Sequence, residues 1–223
     1  MWVKICGIMN MRAAVAAAEA EADAVGFVFA RSRREITPDR AQQLAMGLEP
    51  YNIAKVGVFV DEEPAVVKAI ADYVGLTHVQ LHGNEPPEQI ASVGYPVIKA
   101  FRIRTEEDLQ QLPAYRAAAG LLIEPYVEGQ AGGTGQALDW SLCLKAADVL
   151  SKAGVELSAH DQPLTPGRPK LILAGGLSPE TVDPAIKAGS PGGVDVSSGV
   201  EVDGQKDLQK IYDFVDMAKG AYL

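Results

Sequence analysis

Short apolar runs alternate with longer, alanine-rich stretches along the whole chain. The short runs are apolar on both faces, as are the strands of a parallel sheet that is covered by helices on either side. They predict strands at residues 3–6, 24–29, 55–60, 78–81, 97–101, 121–124, 170–173 and 193–196. The stretches between them predict helices at residues 11–22, 38–47, 64–73, 86–93, 105–112, 140–153, 179–188 and 206–217.

Eight strands in strict alternation with eight helices predict an α/β protein, a single (β/α)8 TIM barrel domain over residues 1–223. Two helix starts support this, because Thr37 and Ser178 each precede a proline, as an N-cap residue precedes proline at the first helical position. An open, doubly wound sheet is the alternative architecture. In a barrel the active site lies at the carboxyl ends of the strands, so the residues after each strand are the functional candidates.

Residues 156–169 do not fit the alternation of strands and helices. This segment contains three prolines and has no clear periodicity. It lies between the sixth helix and the seventh strand, which places it in a helix-to-strand loop at the end of the barrel opposite the chemistry. We interpret it as a surface insertion.

Composition narrows the range of functions. With 223 residues, of which 48% are hydrophobic, the chain can bury a full-sized core. Its 20 basic and 29 acidic residues give a formal net charge of −9, which argues against a nucleic-acid-binding protein. No apolar run approaches the roughly 18 residues of a membrane span, and the first residues are too polar for a signal peptide. Two cysteines cannot form a disulfide framework, so we expect a soluble protein of the reducing cytoplasm.

The first predicted strand ends in Cys6, and a cysteine at the carboxyl end of a barrel strand is a candidate base or nucleophile. Lys4 lies two residues earlier and therefore on the same face of the strand. Its positive charge would lower the pKa of the thiol. The alternative is that Cys6 packs in the core, as we expect of Cys143 in the sixth helix, and that Lys4 pairs with a carboxylate inside the barrel.

Charged residues follow three other strands. Three arginines within residues 31–34 follow the second strand, and a guanidinium there would suit a carboxylate or a phosphate. His82 follows the fourth strand, where a pocket role and a structural role are equally open. Glu124 closes the apolar sixth strand, where an unpaired carboxylate is costly to bury, and we interpret it as an acid–base group. The glycine-rich segment at residues 132–135 is a weak sign of a loop that closes over a ligand.

Glycines follow the seventh and eighth strands, as the phosphate site of a barrel requires. The candidates are Gly175, Gly176 and Gly199. Backbone N–H groups at such positions can approach an anion, and the amino terminus of a helix adds a favourable dipole. Two ordinary strand-to-helix turns are the alternative.

The inventory of side chains predicts a class of reaction. The sequence has neither the ligand spacing of a metal site nor the glycine motif of a dinucleotide or P-loop site, so we expect no metal and no cofactor. A thiol and a carboxylate that face a phosphate site fit proton transfer on a small phosphosugar substrate.

Seven segments of the chain resemble the phosphoribosylanthranilate isomerase family, which acts at the third step of tryptophan biosynthesis. They are KICG at residues 4–7, GFVF at 26–29, VGVF at 56–59, VQLHG at 79–83, GGTG at 132–135, LAGGL at 173–177 and VDVSSG at 194–199. The resemblance covers essentially the whole chain, in order, and the fold of that family is a (β/α)8 barrel.

The resemblance implies an Amadori rearrangement of N-(5′-phosphoribosyl)anthranilate to 1-(o-carboxyphenylamino)-1-deoxyribulose 5-phosphate, in which an aldose becomes a ketose. A general acid protonates the furanose oxygen, the ring opens to a protonated Schiff base, and a cysteine, here Cys6, removes the C2′ proton. Arg34 matches the arginine that binds the anthranilate carboxylate, and His82 and Asp195 match pocket residues. The phosphate site matches Gly175, Gly176, Ser197, Ser198 and Gly199.

The general acid departs from the family pattern. The family usually has an aspartate at the end of the sixth strand, where this chain has Glu124, whose carboxyl group extends about 1.5 Å further from the backbone. Either the backbone lies slightly further back and Glu124 is the acid, or Glu128 in the following loop replaces it. We adopt Glu124 as the hypothesis, because it occupies the matching position.

Two other functions fit the same inventory. A barrel like ProFAR isomerase runs the same rearrangement on a different aminoaldose with two aspartates, which Cys6 disfavours. A catalytically silent phosphosugar-binding barrel would account for the glutamate at position 124. The expected partner is a small phosphosugar, with no nucleic acid and no membrane, and the chain is expected to be a monomer or a homodimer.

Overall fold

The computed structural model describes residues 1–125 and 139–221, and in it eight parallel strands close into a barrel. The strands are β1 (Trp2–Cys6), β2 (Ala24–Val28), β3 (Ala54–Phe59), β4 (His78–Leu81), β5 (Val97–Ile103), β6 (Gly120–Pro125), β7 (Lys170–Leu173) and β8 (Gly193–Val196). Each strand pairs with its neighbours in chain order, and β1 also pairs with β8 to close the barrel. The predicted barrel is confirmed, and the open sheet is wrong.

Helices cover the outside of the barrel. They are α1 (Met11–Glu19), α2 (Pro38–Gly47), α3 (Pro64–Val74), α4 (Gln89–Ser92), α5 (Leu142–Lys152), α6 (Pro179–Gly189) and α7 (Leu208–Gly220). Both predicted N-caps are present: the Thr37 side chain accepts from the Arg40 N–H, and Ser178 forms a capping box with Thr181. None of the helices in the described part of the chain has the length and apolar character needed to cross a membrane.

The core has two layers, because successive strand residues point to opposite faces. The larger layer joins strand residues such as Ile5 and Phe27 to helix residues such as Leu44, and so lies between the barrel and the helices. The smaller layer consists of strand residues and Leu164, and it fills the barrel itself. Its buried members are Trp2, Ala24, Val56, Ile98, Ala100, Leu122, Ile172 and Ala174.

Of the eight predicted helices, the fourth, the fifth and the last differ most from the observed ones, and the first ends at Glu19 instead of residue 22. The fourth is reduced to the single turn α4, because Pro87 disfavours helical backbone at Pro86, the residue before it, and Gly94, with φ +75°, follows the end of the turn. The fifth is a 3₁₀ helix (Glu106–Tyr115) that contains Pro113. The last begins at Leu208, because the preceding residues form a short antiparallel hairpin of β9 (Glu201–Val202) and β10 (Gln205–Lys206) that the sequence did not predict.

The segment between α5 and β7 lies at the amino end of β7. Its chain is held by a hydrogen bond from the Ser158 N–H to the Pro169 carbonyl at 3.0 Å, and the Lys170 ammonium donates to the Ala159 carbonyl. The Gly167 N–H reaches the Ala117 carbonyl in the segment before β6. This loop is therefore at the opposite end of the strands from Cys6 and Glu124.

Candidate active site

Cys6 lies at the carboxyl end of β1 in a buried cluster with Lys4 and Asp195. Lys4 Nζ is 2.8 Å from Asp195 Oδ1, and the two residues are register partners on β1 and β8. The Lys4 side chain has no exposed surface. Gly26 on β2 makes room for the cluster, since a Cβ at that position would lie 2.8 Å from Cys6 Sγ and 3.2 Å from Lys4 Cε. The sequence left two alternatives for Lys4, an ion pair with a carboxylate or a position beside the Cys6 thiol. In the structure both hold.

Burial raises the pKa of the Cys6 thiol above its ordinary value of 9.0, and the Lys4 ammonium opposes this shift. Burial also disfavours the charge of Lys4, but Asp195 and Cys6 outweigh it, so the pKa of Lys4 is raised and the ammonium is charged at neutral pH. The thiol is consequently protonated at neutral pH, next to a cation that stabilises its ionised form.

His82 follows β4 directly, and its backbone N–H donates to the Phe59 carbonyl at 2.9 Å. Its Nε2 lies 3.4 Å from Oε2 of Glu124 on β6, which is longer than a normal hydrogen bond and is an ion pair only when the imidazole is protonated. On the other side of the ring, Nδ1 lies 3.1 Å from Gln80 Nε2. An amide nitrogen only donates, so Nδ1 accepts and the proton of the neutral ring lies on Nε2, facing Glu124.

The pKa of Glu124 is lowered from its ordinary value of 4.5. Burial raises this pKa, but His82 and the guanidinium of Arg102 outweigh burial. Arg102 is the register partner of Glu124 on β5. Glu124 is therefore a carboxylate at neutral pH.

Asp195 connects the thiol and the carboxylate electrostatically. Burial raises the pKa of Asp195, while Lys4 and His82 lower it and Glu124 raises it. The Asp195 charge in turn raises the pKa of Cys6. The charge of Asp195 thus acts on the thiol of Cys6, and the charge of Glu124 acts on Asp195.

Arg34 lies over the end of β1, where its side chain packs on Gly7. Gly7 has φ +77°, and any Cβ there would collide with the Arg34 side chain, so only glycine suits this position. Arg34 Nε and Nη2 donate to the two carboxylate oxygens of Glu201, at 2.6 and 2.9 Å. Glu201 therefore accepts from Nε and Nη2 of the guanidinium. Nη1 has no acceptor among the described residues, so it is the nitrogen that a ligand can reach.

The hairpin after β8 ties this arginine to the end of β1. Lys206 Nζ donates to Glu201 Oε1 at 2.9 Å and to the Ser197 carbonyl at 2.8 Å. The Ser197 hydroxyl donates to the Cys6 carbonyl at 3.1 Å. The Lys206 ammonium, with a side chain 3% exposed, is a second buried cation that lowers the pKa of Cys6.

The candidate phosphate loops after β7 and β8 pack closely together. Gly175 and Gly176 have φ +85° and +65°, which glycine adopts without strain. A Cβ at Gly199 would collide with the Leu177 carbonyl, so the two loops approach as closely as they do only because residue 199 is glycine. The backbone N–H groups of Gly175, Gly176 and Ser198 have no acceptor among the described residues.

Two predictions concern residues that the structure does not describe. Glu128 and the glycine-rich segment at residues 132–135 lie outside the described residues. Within residues 1–125 and 139–221, no three His, Cys, Asp or Glu side chains are grouped as metal ligands would be.

Comparison with known proteins decides the family of this barrel. Residues 3–217 match the family model described as N-(5′-phosphoribosyl)anthranilate (PRA) isomerase. The chain belongs to the phosphoribosylanthranilate isomerase family. The chain is 62% identical over 220 residues to the N-(5′-phosphoribosyl)anthranilate isomerase of Symbiobacterium thermophilum, with 99% of each chain covered.

Solved structures of the isomerase family share the fold over the whole chain. The phosphoribosylanthranilate isomerase of Thermotoga maritima superposes with a TM-score of 0.84 at 39% identity, over 99% of each chain. A second structure, with a TM-score of 0.80 at 38% identity and 99% coverage of each chain, is an isomerase in complex with reduced 1-(o-carboxyphenylamino)-1-deoxyribulose 5-phosphate.

Sequence reasoning missed four residues at the barrel mouth of this isomerase family member. Gln80 carried a usable signal, since it lies two residues before His82 and so shares its face. Arg102 also carried one, but the fifth strand was predicted to end at residue 101. Glu201 and Lys206 lie in a hairpin with no strand periodicity, so their partnership with Arg34 was not readable from the sequence.

Glu201 is expected to stabilise the fold of the isomerase through its charge. Burial opposes its ionisation, but hydrogen bonds from Arg34 and Lys206 outweigh burial and lower its pKa from 4.5 to about 2. A carboxylate whose pKa is lowered by folding raises the free energy of unfolding above pH 4.5, and this contribution is lost as the pH falls towards 2. For Glu201 the contribution is at most about 3 kcal/mol. Urea unfolding of Glu201→Gln should therefore show a loss of that order at pH 7, and a smaller loss at pH 3.5.

The control for this prediction is Glu156→Gln. Glu156 pairs with Arg168 at 2.8 Å, but its side chain is 78% exposed, and exposed ion pairs contribute about 0 to 1 kcal/mol. Equal losses in the two variants at pH 7, or a loss in Glu201→Gln that does not shrink at pH 3.5, would contradict the prediction.

Proposed function

We propose that this chain catalyses the Amadori rearrangement of N-(5′-phosphoribosyl)anthranilate to 1-(o-carboxyphenylamino)-1-deoxyribulose 5-phosphate, the isomerase step of tryptophan biosynthesis. The observation that carries the proposal is that Cys6 and Glu124 lie at the carboxyl ends of β1 and β6, and therefore at the same mouth of the closed barrel. Proton removal at one carbon and proton donation at one oxygen need one base and one acid, and this mouth holds one of each.

The acid and the base act in sequence. Glu124 protonates the furanose oxygen, and the C1′–O bond breaks to give an open-chain protonated Schiff base. The Cys6 thiolate then removes the C2′ proton, and the electron pair moves to neutralise the Schiff-base nitrogen. The resulting enolamine tautomerises to the ketose: C1′ gains a proton as Cys6 gives one up, and the C2′ hydroxyl loses a proton as Glu124 regains one, so both side chains return to their starting states. Hydrogen and electrons move only within the substrate and between it and these two side chains, so the reaction calls for no cofactor.

Substrate binding changes both protonation states. The pKa shifts leave Glu124 ionised and Cys6 protonated at neutral pH, whereas the reaction uses a protonated Glu124 and an ionised Cys6. The negative charges of a bound phosphate and carboxylate raise the pKa of Glu124, and the cationic Schiff base lowers the pKa of Cys6. Lys4 and Lys206 add to the stabilisation of the thiolate.

The remaining predicted residues bind the two ends of the substrate. The unpaired N–H groups of the loops after β7 and β8 suit the phosphate, which is assigned to Gly175, Gly176, Ser197, Ser198 and Gly199. Arg34 reaches the anthranilate carboxylate through Nη1, while Glu201 holds the rest of its guanidinium. His82 and Asp195 line the pocket between these ends. The active unit is a monomer or a homodimer.

The test is turnover by the purified wild-type protein. N-(5′-phosphoribosyl)anthranilate is generated in the cuvette, its fluorescence is followed, and the ketose product is identified by chromatography. We expect a fluorescence change that scales with protein concentration and is absent with heat-denatured protein. Binding of a reduced product analogue without turnover would favour the silent phosphosugar-binding barrel and overturn the proposal.

A further inference from the structure

Lys99 and Glu85 form a buried ion pair outside the barrel mouth, and the proposed mechanism does not use it. Lys99 Nζ is 3.1 Å from Glu85 Oε2, and the two side chains are 3% and 1% exposed. The Lys99 ammonium also lies over the rings of Phe101 and Tyr115. Burying two charged side chains costs more free energy than burying two apolar side chains of similar size. Packing alone therefore does not explain why this position holds an ion pair.

The Lys99 ammonium holds the backbone on both sides of His82. It donates to the carbonyl oxygen of Leu81 at 3.4 Å and to that of Gly83 at 2.8 Å, which are the residues immediately before and after His82. It also donates to the Ala100 carbonyl on its own strand at 2.9 Å. One charge thus ties the carbonyl groups of the residues on either side of the histidine to β5.

The Glu85 carboxylate holds the same loop from a second direction. The Gly83 N–H donates to its two oxygens at 3.0 and 2.9 Å, and the Asp61 N–H after β3 donates to one of them at 2.9 Å. The Tyr115 hydroxyl donates to the Glu85 backbone carbonyl at 3.0 Å. The loop that follows β4 is therefore fixed to the end of β3, to β5 and to the 3₁₀ helix.

We propose that Lys99 and Glu85 are positioning residues, which fix the backbone around His82 so that its imidazole is held against Glu124. This inference rests on the proposed function, in which Glu124 donates the proton. A displacement of about 1 Å near the reacting atoms can cost on the order of 100-fold in rate. Among the described residues, Lys99 and Glu85 make no hydrogen bond or ion pair with Arg34 or with the phosphate loops, so we expect their loss to affect kcat far more than KM.

The experiment compares Lys99→Met with Lys170→Met. Lys170 is a matched control, since it is also fully buried, but at the amino end of β7, where its ammonium donates to the Ala159 carbonyl. Both variants remove a buried lysine and both should lose stability. We expect kcat to fall by about 10- to 100-fold in Lys99→Met with little change in KM, and to stay near the wild-type value in Lys170→Met.

A double-mutant cycle separates positioning from a general structural role. The Lys99→Met change is repeated in a His82→Ala background, where there is no imidazole left to position. We expect the loss in kcat to disappear in that background. An equal loss in both backgrounds, or no loss in either, would overturn the proposal.

The histidine NMR spectrum gives a readout that does not depend on turnover. The chain has three histidines, so the ring signals of His82 are identified by their absence in His82→Ala. They should shift in Lys99→Met and not in Lys170→Met. If Lys99→Met does not fold, Glu85→Gln replaces it, because the amide oxygen still accepts from Gly83 and Asp61 while the charge is lost.

The outcomes distinguish this inference from the proposed function. A wild-type protein without turnover overturns the proposed function, and the NMR comparison then decides the positioning role alone. His82 signals that are unchanged in a folded Lys99→Met or Glu85→Gln variant would overturn the positioning role, whatever the wild-type activity.

Discussion

Replacing Cys6 with serine is expected to lower kcat by about 10²- to 10⁴-fold, the contribution of a positioned general base to proton transfer. Serine keeps the size and the hydrogen-bonding capacity of the side chain, but its hydroxyl does not ionise in the range where a thiol does. Because the substrate contacts lie elsewhere, KM should change little. The measurement is the steady-state rate of fluorescence change with substrate generated in the cuvette.

The control for this variant is Cys143→Ala. Cys143 is fully buried on α5, where burial raises its pKa to about 12, so it stays a neutral thiol and is expected to be dispensable for turnover.

The two cysteines also differ in alkylation by iodoacetamide, which reacts with the thiolate. Since the pKa of Cys6 is raised, its alkylation rate should increase with pH and inflect above 9.0, and Cys6→Ser should lack this reaction. Turnover retained in Cys6→Ser would remove the thiol from the mechanism.

Replacing Glu124 with glutamine is expected to reduce kcat by about 10²- to 10⁴-fold while substrate binding is retained. The amide has nearly the same shape and can still lie against His82, but it has no proton to give to the furanose oxygen. The carboxylate charge is also lost, which leaves Arg102 and His82 without their acidic partner. Steady-state kinetics give kcat, and titration with a reduced product analogue gives the binding constant.

Two further variants distinguish Glu124 from the alternative acid. Glu124→Asp restores the residue usual in the family but withdraws the carboxyl group by about 1.5 Å, so we expect activity between those of the wild type and the glutamine variant. Glu128→Gln should leave kcat unchanged if Glu124 is the acid. Full activity in Glu124→Gln together with a loss in Glu128→Gln would transfer the role to Glu128.

The barrel was predictable because the pattern along the chain repeats. Each strand is buried on both faces and each helix on one, so the two element types leave different hydropathy patterns. The exceptions lie where this pattern is short or interrupted. Two adjacent prolines reduce the fourth helix to the turn α4, and the hairpin of β9 and β10 has two residues per strand, too few for alternation to be seen.

The site was predictable where a residue ends a strand and not where it depends on a partner from elsewhere in the chain. Cys6, His82 and Glu124 could be selected because strand ends converge at one mouth of a barrel, and Asp195 was selected through the family resemblance. Glu201 could not be selected, because its contact with Arg34 spans 167 positions of sequence. The pKa directions were equally inaccessible, since burial and the neighbouring charges oppose each other at both Cys6 and Glu124.

By itself the sequence determined the fold class, the order of the strands, the family resemblance and the set of chemical groups at the barrel mouth, because these depend on local pattern and on position along a strand. Only the tertiary structure decided that Lys4 pairs with Asp195 beside the thiol, that Glu201 holds Arg34, and that the backbone around His82 is held by Lys99 and Glu85. These contacts join residues from different strands and loops, and their strength depends on how completely water is excluded around them. Local sequence contains neither the distance between two charges nor the burial of either, and both are set only when the barrel closes.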